Sequence, residues 1–119
     1  MSEEDAEKWC VLDLMNGRTF YCRVNDDLKA VVAGKRRDGY ITITEPYISM
    51  PFQGGTVAVA SLKEMSGQFI GPVAIAVASI VSVMEMRADS DWAKGLDRVE
   101  SGEVKIATVM RPSSLQMPR

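Results

Sequence analysis

The dipeptide Asn16-Gly17 constrains the fold of this chain more than any other feature of its sequence. It separates two β-prone runs, residues 10–14 and residues 19–24. Asn and Gly tolerate the left-handed backbone angles of tight turns, so this pair between extended runs is the strongest short-range signal of an antiparallel hairpin. The sequence therefore predicts that the folded part of the chain opens with two paired strands.

Further β-prone runs follow the hairpin at short intervals. The clearest is Tyr-Ile-Thr-Ile-Thr at residues 40–44, where side chains alternate as they do along a half-buried strand. Pro46 and Pro51 bracket a run that suits an edge strand or a strand that bends at a corner. The succession predicts an all-β fold. The other runs predicted to be extended are residues 29–33, 47–50, 56–62, 73–86 with a break near Ala78, and 104–109.

The two ends of the chain differ in character from its middle. Residues 2–8 can form one or two helical turns, because Ser2 is a good N-cap and acidic side chains follow it. Apolar side chains recur at helical spacing between residues 92 and 99, which predicts a short amphipathic helix. We therefore expect a β domain over residues 1–87 and a C-terminal extension over residues 88–119 that combines this helix, a strand and a loose tail.

The chain contains no histidine, which narrows the chemistry open to it. Histidine is the usual general base at neutral pH and a common metal ligand, so imidazole-dependent triads and many metal sites are excluded. The Gly67-x-x-x-Gly71 pattern lacks the lysine of a phosphate-binding loop. We therefore expect a protein that is not an enzyme and that carries neither a cofactor nor a metal ion.

The charge balance makes any general attraction to nucleic acid weak. Sixteen acidic and fourteen basic residues give a formal net charge of −2 over 119 residues, whereas proteins that hold nucleic acid by their overall field carry a basic excess. Contact with RNA would need a local patch. The basic cluster is Lys35-Arg36-Arg37, which with Lys29 and Tyr40 could clamp phosphates; the alternative is a solvated loop tip between two strands.

The run Asn25-Asp26-Asp27 is a second candidate for contact with RNA. These side chains could line a ring pore and contact a base or a cation. The alternative is a plain turn, because Asn and Asp hydrogen-bond to their own backbone and tolerate left-handed geometry. Arg18 and Arg23 flank the hairpin and could meet acidic neighbours across a subunit interface or simply face solvent.

The remaining features indicate an intracellular protein. The N-terminal sequence Met-Ser-Glu-Glu-Asp is acidic where a signal peptide would be basic, and the longest apolar stretch, residues 71–84, is interrupted and too short to span a bilayer. Cys10 and Cys22 could pair across neighbouring strands, but without an export signal two reduced, buried thiols are favoured. We expect a cytoplasmic protein with no membrane partner.

The order of these features resembles the Sm-like fold, the small bent barrel of the Sm, LSm and Hfq proteins. Residues 12–20, Leu-Asp-Leu-Met-Asn-Gly-Arg-Thr-Phe, look like the first half of the Sm1 motif, and residues 73–86 stand where Sm2 would fall. The order Asn-Gly, Asp-Asp and Tyr-Ile-Thr-Ile-Thr-Glu-Pro is most similar to short Sm-like proteins of tailed marine phages. The resemblance implies a strongly bent, five-stranded barrel after a short N-terminal helix.

The resemblance also implies assembly, because Sm-like subunits close rings by pairing the fourth strand of one subunit with the fifth strand of the next. A homo-oligomeric ring of five to seven subunits would then be held by the runs 57–62 and 79–86. The residues expected at this interface are Val57, Val59, Ser61, Ile80, Ser82 and Met84.

The function that the resemblance implies is the binding of single-stranded RNA through a pore or a loop surface. The family's Arg-Gly pair is absent from residues 73–86, so the candidates lie in the two polar segments. The candidate RNA-binding residues are Asn25, Asp26, Asp27, Lys35, Arg36 and Arg37. The alternative function is that of a non-catalytic assembly protein, such as a phage-related scaffold or adaptor, that binds no nucleic acid.

Overall fold

The computed structural model describes residues 8–68 and 71–110, and within them the backbone forms eight strands and three helices. The strands are β1 (Trp9–Leu14), β2 (Thr19–Arg23), β3 (Tyr40–Ile43), β4 (Tyr47–Pro51), β5 (Thr56–Ser61), β6 (Val73–Ala76), β7 (Ile80–Glu85) and β8 (Ala107–Met110). The helices are α1 (Asp26–Val32), α2 (Leu62–Ser66) and α3 (Asp91–Glu100), with short 3-10 turns at Gln53–Gly55 and Val77–Ser79. The helix predicted over residues 2–8, apart from Lys8, and the tail predicted over residues 111–119 lie outside the described residues.

The described strands form two antiparallel sheets. Six of them make one sheet in the order β7-β1-β2-β4-β5-β8, and β3 pairs with β6 in a second sheet. The prediction of a mainly β fold is therefore confirmed, but the described residues contain eight strands rather than five, and these do not close into a barrel. The predicted break near Ala78 is also confirmed, because a 3-10 turn there separates β6 from β7.

The hairpin predicted at Asn16-Gly17 is confirmed. The Gly17 amide donates to the carbonyl of Leu14 at 3.0 Å, and the Leu14 amide donates to the carbonyl of Arg18 at 2.9 Å. Gly17 takes the left-handed conformation at φ +86°, and the Asn16 side chain accepts from the Arg18 amide at 2.9 Å. The Asn16 side chain thus closes the turn, and Gly17 permits it because glycine readily adopts the left-handed conformation.

Residues 29–33, predicted to be a strand, lie instead in helix α1 and at its end, so that prediction is wrong. Asn25 caps the helix, because its Oδ1 accepts from the Leu28 amide at 2.8 Å. Asp26 and Asp27 occupy the first turn, where negative charge stabilises the helix dipole. The residues interpreted as a plain turn are therefore the start of a helix, which Leu28 anchors by burying its side chain completely.

Strand β3 keeps the alternation seen in its sequence. Ile41 and Ile43 are buried, whereas Tyr40 is exposed, so the strand covers the core with one face. β4, predicted to be an edge strand or a bent one, lies between β2 and β5. Its pairing with β2 is confined to Tyr47 opposite Tyr21, as expected for a strand that bends away.

Strand β8 belongs to the same sheet as the hairpin, and helix α3 packs on that sheet. Ser90 caps α3 by accepting from the Ala93 amide at 3.2 Å, so the predicted helix is confirmed. β8 runs antiparallel to β5, with Val57 opposite Val109. The extension expected beyond residue 87 therefore adds both a strand to the sheet and a helix to one of its faces.

The position of β8 corrects the expectation that β5 presents a free edge. Along Val57 and Val59 the backbone of β5 is paired with β4 on one side and with β8 on the other, and Ser61 is buried within the chain. Val57 and Val59 therefore have no open side for a strand of another subunit, and the side chain of Ser61, which lies beyond the end of the β8 pairing, is covered by the chain itself. β7 pairs only with β1 among the described strands. The other residues expected at the interface, Ile80, Ser82 and Met84, lie on β7.

Both faces of the six-stranded sheet are covered by other elements. One cluster of buried side chains lies between one face of this sheet and the elements β3, β6 and α1; it contains Cys10, Leu12, Leu14, Phe20, Cys22, Val24, Leu28, Ile41, Ile43, Ile75 and Val77. A second cluster lies between the sheet and α3; it contains Trp9, Tyr21, Tyr47, Val59, Ala93, Leu96, Ala107 and Val109. Because side chains alternate along a strand, consecutive residues of β1 and β2 enter different clusters, and both faces of the hairpin need apolar residues.

Candidate functional site

The loop between α1 and β3 carries the basic cluster of the sequence. It turns directly back from the end of the helix, since the amides of Lys35 and Arg36 both donate to the carbonyl of Ala30, at 2.9 and 3.2 Å. Gly34, at φ +76°, permits this reversal. The cluster therefore lies at the C-terminal end of α1, where the helix dipole also favours positive charge.

The Arg36 guanidinium bonds to other groups of the same chain and thereby holds this loop in place. Its Nη1 lies 3.2 Å from Oδ1 of Asp27, and its Nη2 donates to the carbonyl of Tyr40 at 2.6 Å. One guanidinium thus ties the loop to the first turn of α1 and to the start of β3. Arg36 and Asp27, both predicted to contact RNA, are in contact with each other, and their charges offset one another.

Lys35 and Arg37 extend from the loop into solvent. Arg37 makes a long hydrogen bond from Nε to the Gly34 carbonyl at 3.4 Å, and the Lys35 ammonium has no partner among the residues that the structure describes. Tyr40, just beyond them in the chain, has 66% of its surface exposed. We call Lys35, Arg37 and Tyr40 the basic loop surface.

The other predicted RNA-binding residues lie at the opposite end of α1. Asn25 uses both ends of its amide in the fold, accepting from the Leu28 amide and donating from Nδ2 to the Thr42 carbonyl at 3.4 Å. Asp26 is exposed. The seven residues of α1 span about 10 Å, and the loop folds back along the helix so that Arg36 reaches Asp27 in its first turn. The two candidate segments are therefore the two ends of one helix.

Arg23 meets acidic neighbours within its own chain. Its guanidinium bonds to both carboxylate oxygens of Glu100 and, at 3.0 Å, to Oδ1 of Asp97. It also lies over the ring of Trp9, with Cζ 4.3 Å from the ring centroid, while Trp9 Nε1 donates to Asp97 at 2.8 Å. Sequence reasoning missed this network because 74 and 77 residues separate Arg23 from its two acidic partners.

A shallow cavity of about 230 Å³ opens beside the Arg23 network. Asn25, Glu45, Tyr47 and Glu100 are among the residues that line it. Burial, together with the negative charges of Glu45 and Glu100, raises the pKa of Tyr47 to about 12. The phenol is therefore neutral at physiological pH, and the two carboxylates are already paired with cations of the chain. The cavity offers little charge for a ligand.

Cys10 and Cys22 face each other across β1 and β2 as directly opposed residues. Both are buried free thiols, and their Sγ atoms lie 3.7 Å apart. The hydrogen bond between the thiols lowers the pKa of Cys10, whereas that bond and burial both raise the pKa of Cys22. The structure thus contains the pair of buried thiols that the sequence favoured.

Neither the described residues nor comparison with known proteins gives an independent indication of function. Across residues 8–68 and 71–110, no three side chains of the metal-ligating types His, Cys, Asp and Glu are grouped to hold a metal ion. No helix in that part of the chain is both long and apolar enough to cross a membrane. Comparison with known protein families, with curated proteins and with solved structures finds no match to this chain.

Proposed function

We propose that this chain binds single-stranded RNA through the basic loop surface. The observation that carries the proposal is an exposed aromatic ring, Tyr40 at the start of β3, directly after a short, anchored loop that exposes the cations Lys35 and Arg37. The bases of a single strand stack on aromatic side chains, and cations neutralise the phosphates between them. A duplex hides its base faces, so this surface favours a single strand.

Arg36 prepares this surface without contacting RNA itself. By bonding to Asp27 and to the Tyr40 carbonyl, it holds the loop in one arrangement before a ligand arrives. Such preorganisation lowers the entropy cost of binding. Lys29 adds a further exposed cation in the last turn of α1. The loop is thus both charged and ordered.

The expected affinity is modest and depends on salt. The net charge of −2 provides no long-range attraction to RNA, and the surface offers few cations. For single strands, each neutralised phosphate contributes about 0.7 to the slope of log affinity against log salt concentration. Two or three contacts therefore predict a slope of about −1.4 to −2.

Fluorescence anisotropy with a short labelled oligouridine at low salt tests this proposal. The double variant Lys35→Glu, Arg37→Glu should weaken binding at least about tenfold, and Tyr40→Ala should remove a stacking contribution of about 1–3 kcal/mol. The double variant Lys94→Glu, Lys105→Glu makes the same charge change at exposed sites on α3 and before β8, and it should leave the affinity unchanged. A flat titration of the wild-type protein, or equal losses in the control and the loop variants, would exclude the proposal.

Self-assembly is part of the same proposal, because the six-stranded sheet has two outer strands. β7 and β8 each pair with a single strand among the described residues. β7 exposes Val81 and Met84, while Ile106 and Met110 are exposed beside and on β8. Exposed apolar edges invite pairing with another chain. In a closed ring of five to seven Sm-like subunits, β7 of one copy would therefore meet β8 of the next.

Assembly without nucleic acid, as a scaffold or adaptor, is the second candidate function. It is favoured by the fact that the outer strands β7 and β8 carry exposed apolar side chains. Native mass spectrometry after nuclease treatment separates the two functions: a ring that persists but does not bind oligouridine is a scaffold. Val81→Lys should dissociate the ring, whereas Thr42→Lys, at an exposed position of β3, should not. A clean monomer of 13.1 kDa at high concentration would exclude the ring.

A further inference from the structure

Cys10 and Cys22 are placed to react with each other. Two residues along the same strands, the Val24 amide donates to the Lys8 carbonyl at 2.7 Å. Hydrogen-bonded and non-hydrogen-bonded pairs alternate along antiparallel strands, so Cys10 and Cys22 form a hydrogen-bonded pair. The Cα atoms of such a pair lie about 5.5 Å apart, which is within the range of about 4.4–6.8 Å that a disulfide spans.

We propose that these two thiols form a redox-active pair that closes to an intramolecular disulfide within the folded protein. Closure brings the sulfur atoms from 3.7 Å to a bonding distance of about 2.05 Å. Side-chain rotation and an approach of the two strands by up to about 1 Å supply that movement, because directly opposed Cβ atoms lie about 4.5–5.5 Å apart and a disulfide needs about 3.5–4.5 Å. The register of β1 and β2 is unchanged. The surrounding cluster is apolar, so it accommodates a neutral disulfide as well as it does two thiols.

The oxidant that suits this reaction is a low-molecular-weight disulfide, R–S–S–R. Cys10 loses its proton, and its thiolate attacks one sulfur of R–S–S–R to form a mixed disulfide and release R–S⁻. Cys22 then loses its proton and attacks the Cys10 sulfur, which forms the Cys10–Cys22 bond and releases a second R–S⁻. Two protein thiols are oxidised, and the small disulfide is reduced to two R–SH that carry the two protons.

The order of attack follows from the contact between the thiols. Either thiol can donate in the hydrogen bond between them; where the Cys22 thiol donates to the Cys10 sulfur, the pKa of Cys10 is lowered and Cys10 is the first nucleophile. Both side chains are covered by the core, so the oxidant reaches them through local opening of the hairpin, and exchange is slower than at an exposed thiol. The disulfide, once formed, fastens two central strands of the sheet and restricts the unfolded chain.

Thiol trapping tests the proposal. The folded protein is incubated with excess hydroxyethyl disulfide, then unfolded, alkylated and weighed by intact mass spectrometry. The wild type should lose two hydrogen atoms and take neither an alkyl group nor an adduct. Cys10→Ser and Cys22→Ser each retain one thiol and should end as a mixed disulfide or an alkylated thiol. The oxidised wild type should unfold at higher urea than the reduced protein, and dithiothreitol should reverse the difference.

Several results would overturn the proposal. In one, both thiols of the folded protein are still reduced, and are alkylated on unfolding, even after an incubation many times longer than the urea-unfolded chain needs to close. In another, the disulfide links two chains, or the oxidised protein unfolds at lower urea than the reduced one. If the rate of disulfide formation rose with urea concentration in proportion to the unfolded fraction, the reaction would take place in the unfolded chain. That result would also count against the proposal.

Discussion

Arg23 and Glu100 are joined by two parallel hydrogen bonds, from Nε to Oε2 at 3.2 Å and from Nη2 to Oε1 at 2.7 Å. This forked contact links the end of β2 to the last turn of α3. Because Arg23 also covers the Trp9 ring and reaches Asp97, one side chain connects the hairpin to the C-terminal helix by several interactions. The packing of α3 on the sheet therefore depends on more than its apolar face.

Replacing Arg23 should destabilise the protein more than replacing another surface arginine. Arg23→Ala removes a forked ion pair and a cation–π contact, and since its partners are about half exposed we expect a loss of about 1–2 kcal/mol in the free energy of unfolding. Arg98→Ala, which breaks one exposed pair with Glu103, should cost less than about 0.5 kcal/mol. Urea unfolding measures both; equal losses would contradict the assigned role of Arg23.

Gly95 should resist replacement by alanine, although alanine is the better helix former. A Cβ at this position would lie 2.7 Å from Cγ1 of Val109, so helix and sheet would have to separate. We expect Gly95→Ala to lower the free energy of unfolding by about 1–3 kcal/mol. At a helix site without a close contact, the same substitution would raise it by about 1 kcal/mol through helix propensity. Val109→Ala in the same chain should recover part of the loss. A double-mutant cycle measures the coupling, and strictly additive effects would show that the two residues do not meet.

Tyr47 should make the protein less stable at high pH. Its pKa in the folded chain is about 12, whereas that of an unfolded tyrosine is about 10. The folded state holds the proton more tightly, so this contribution is complete below about pH 10 and is lost as the pH rises towards about 12. Urea midpoints should fall over that window. Tyr47→Phe should flatten the fall, while Tyr40→Phe, which removes an exposed hydroxyl, should leave it in place.

Asn25 should be needed for stability rather than for RNA binding. Asn25→Ala removes the cap of α1 and should cost about 1 kcal/mol, while Asn25→Asp keeps an acceptor for the Leu28 amide and should retain most of the stability. Urea midpoints measured alongside oligouridine affinity separate the two roles. If Asn25→Asp were as stable as the wild type but bound RNA more weakly, that result would support the RNA-binding role predicted from the sequence.

Local signals in the sequence suffice for several elements. Asn16-Gly17 predicts the hairpin because the turn residues themselves supply the geometry. The spacing of Ile41 and Ile43 predicts β3, and Leu96 belongs to a helical repeat that places it in the core. In each case the residues that make the pattern also make the structure, so no distant partner has to be known.

Helix α1 shows where local signals conflict. Val31 and Val32 are β-branched and favour a strand, and Asn25 before them is at home in a turn as well as at an N-cap. The helix forms because Leu28 enters the core and Asn25 caps the first turn, which together outweigh the β preference. The acidic residues after Asn25 were the available signal for a helix start.

The candidate site was only partly predictable for a similar reason. Nothing in the sequence distinguishes Lys35, Arg36 and Arg37 as basic side chains. In the structure, Arg36 contacts Asp27 and the Tyr40 carbonyl and is therefore not available to a ligand. Such contacts depend on the reversal of the chain after α1. The pairing of β5 with β8 is more distant still, and no local pattern specifies which strand occupies that edge.

The pairing of Val57 with Val109 sets an order of events during synthesis. On the ribosome, β5 emerges about fifty residues before the strand that covers its outer edge. During that interval the nascent chain carries an unpaired, apolar strand edge that another chain could occupy. A pause in translation after β5 has emerged and before β8 emerges would therefore extend the period in which nascent chains on neighbouring ribosomes can pair wrongly.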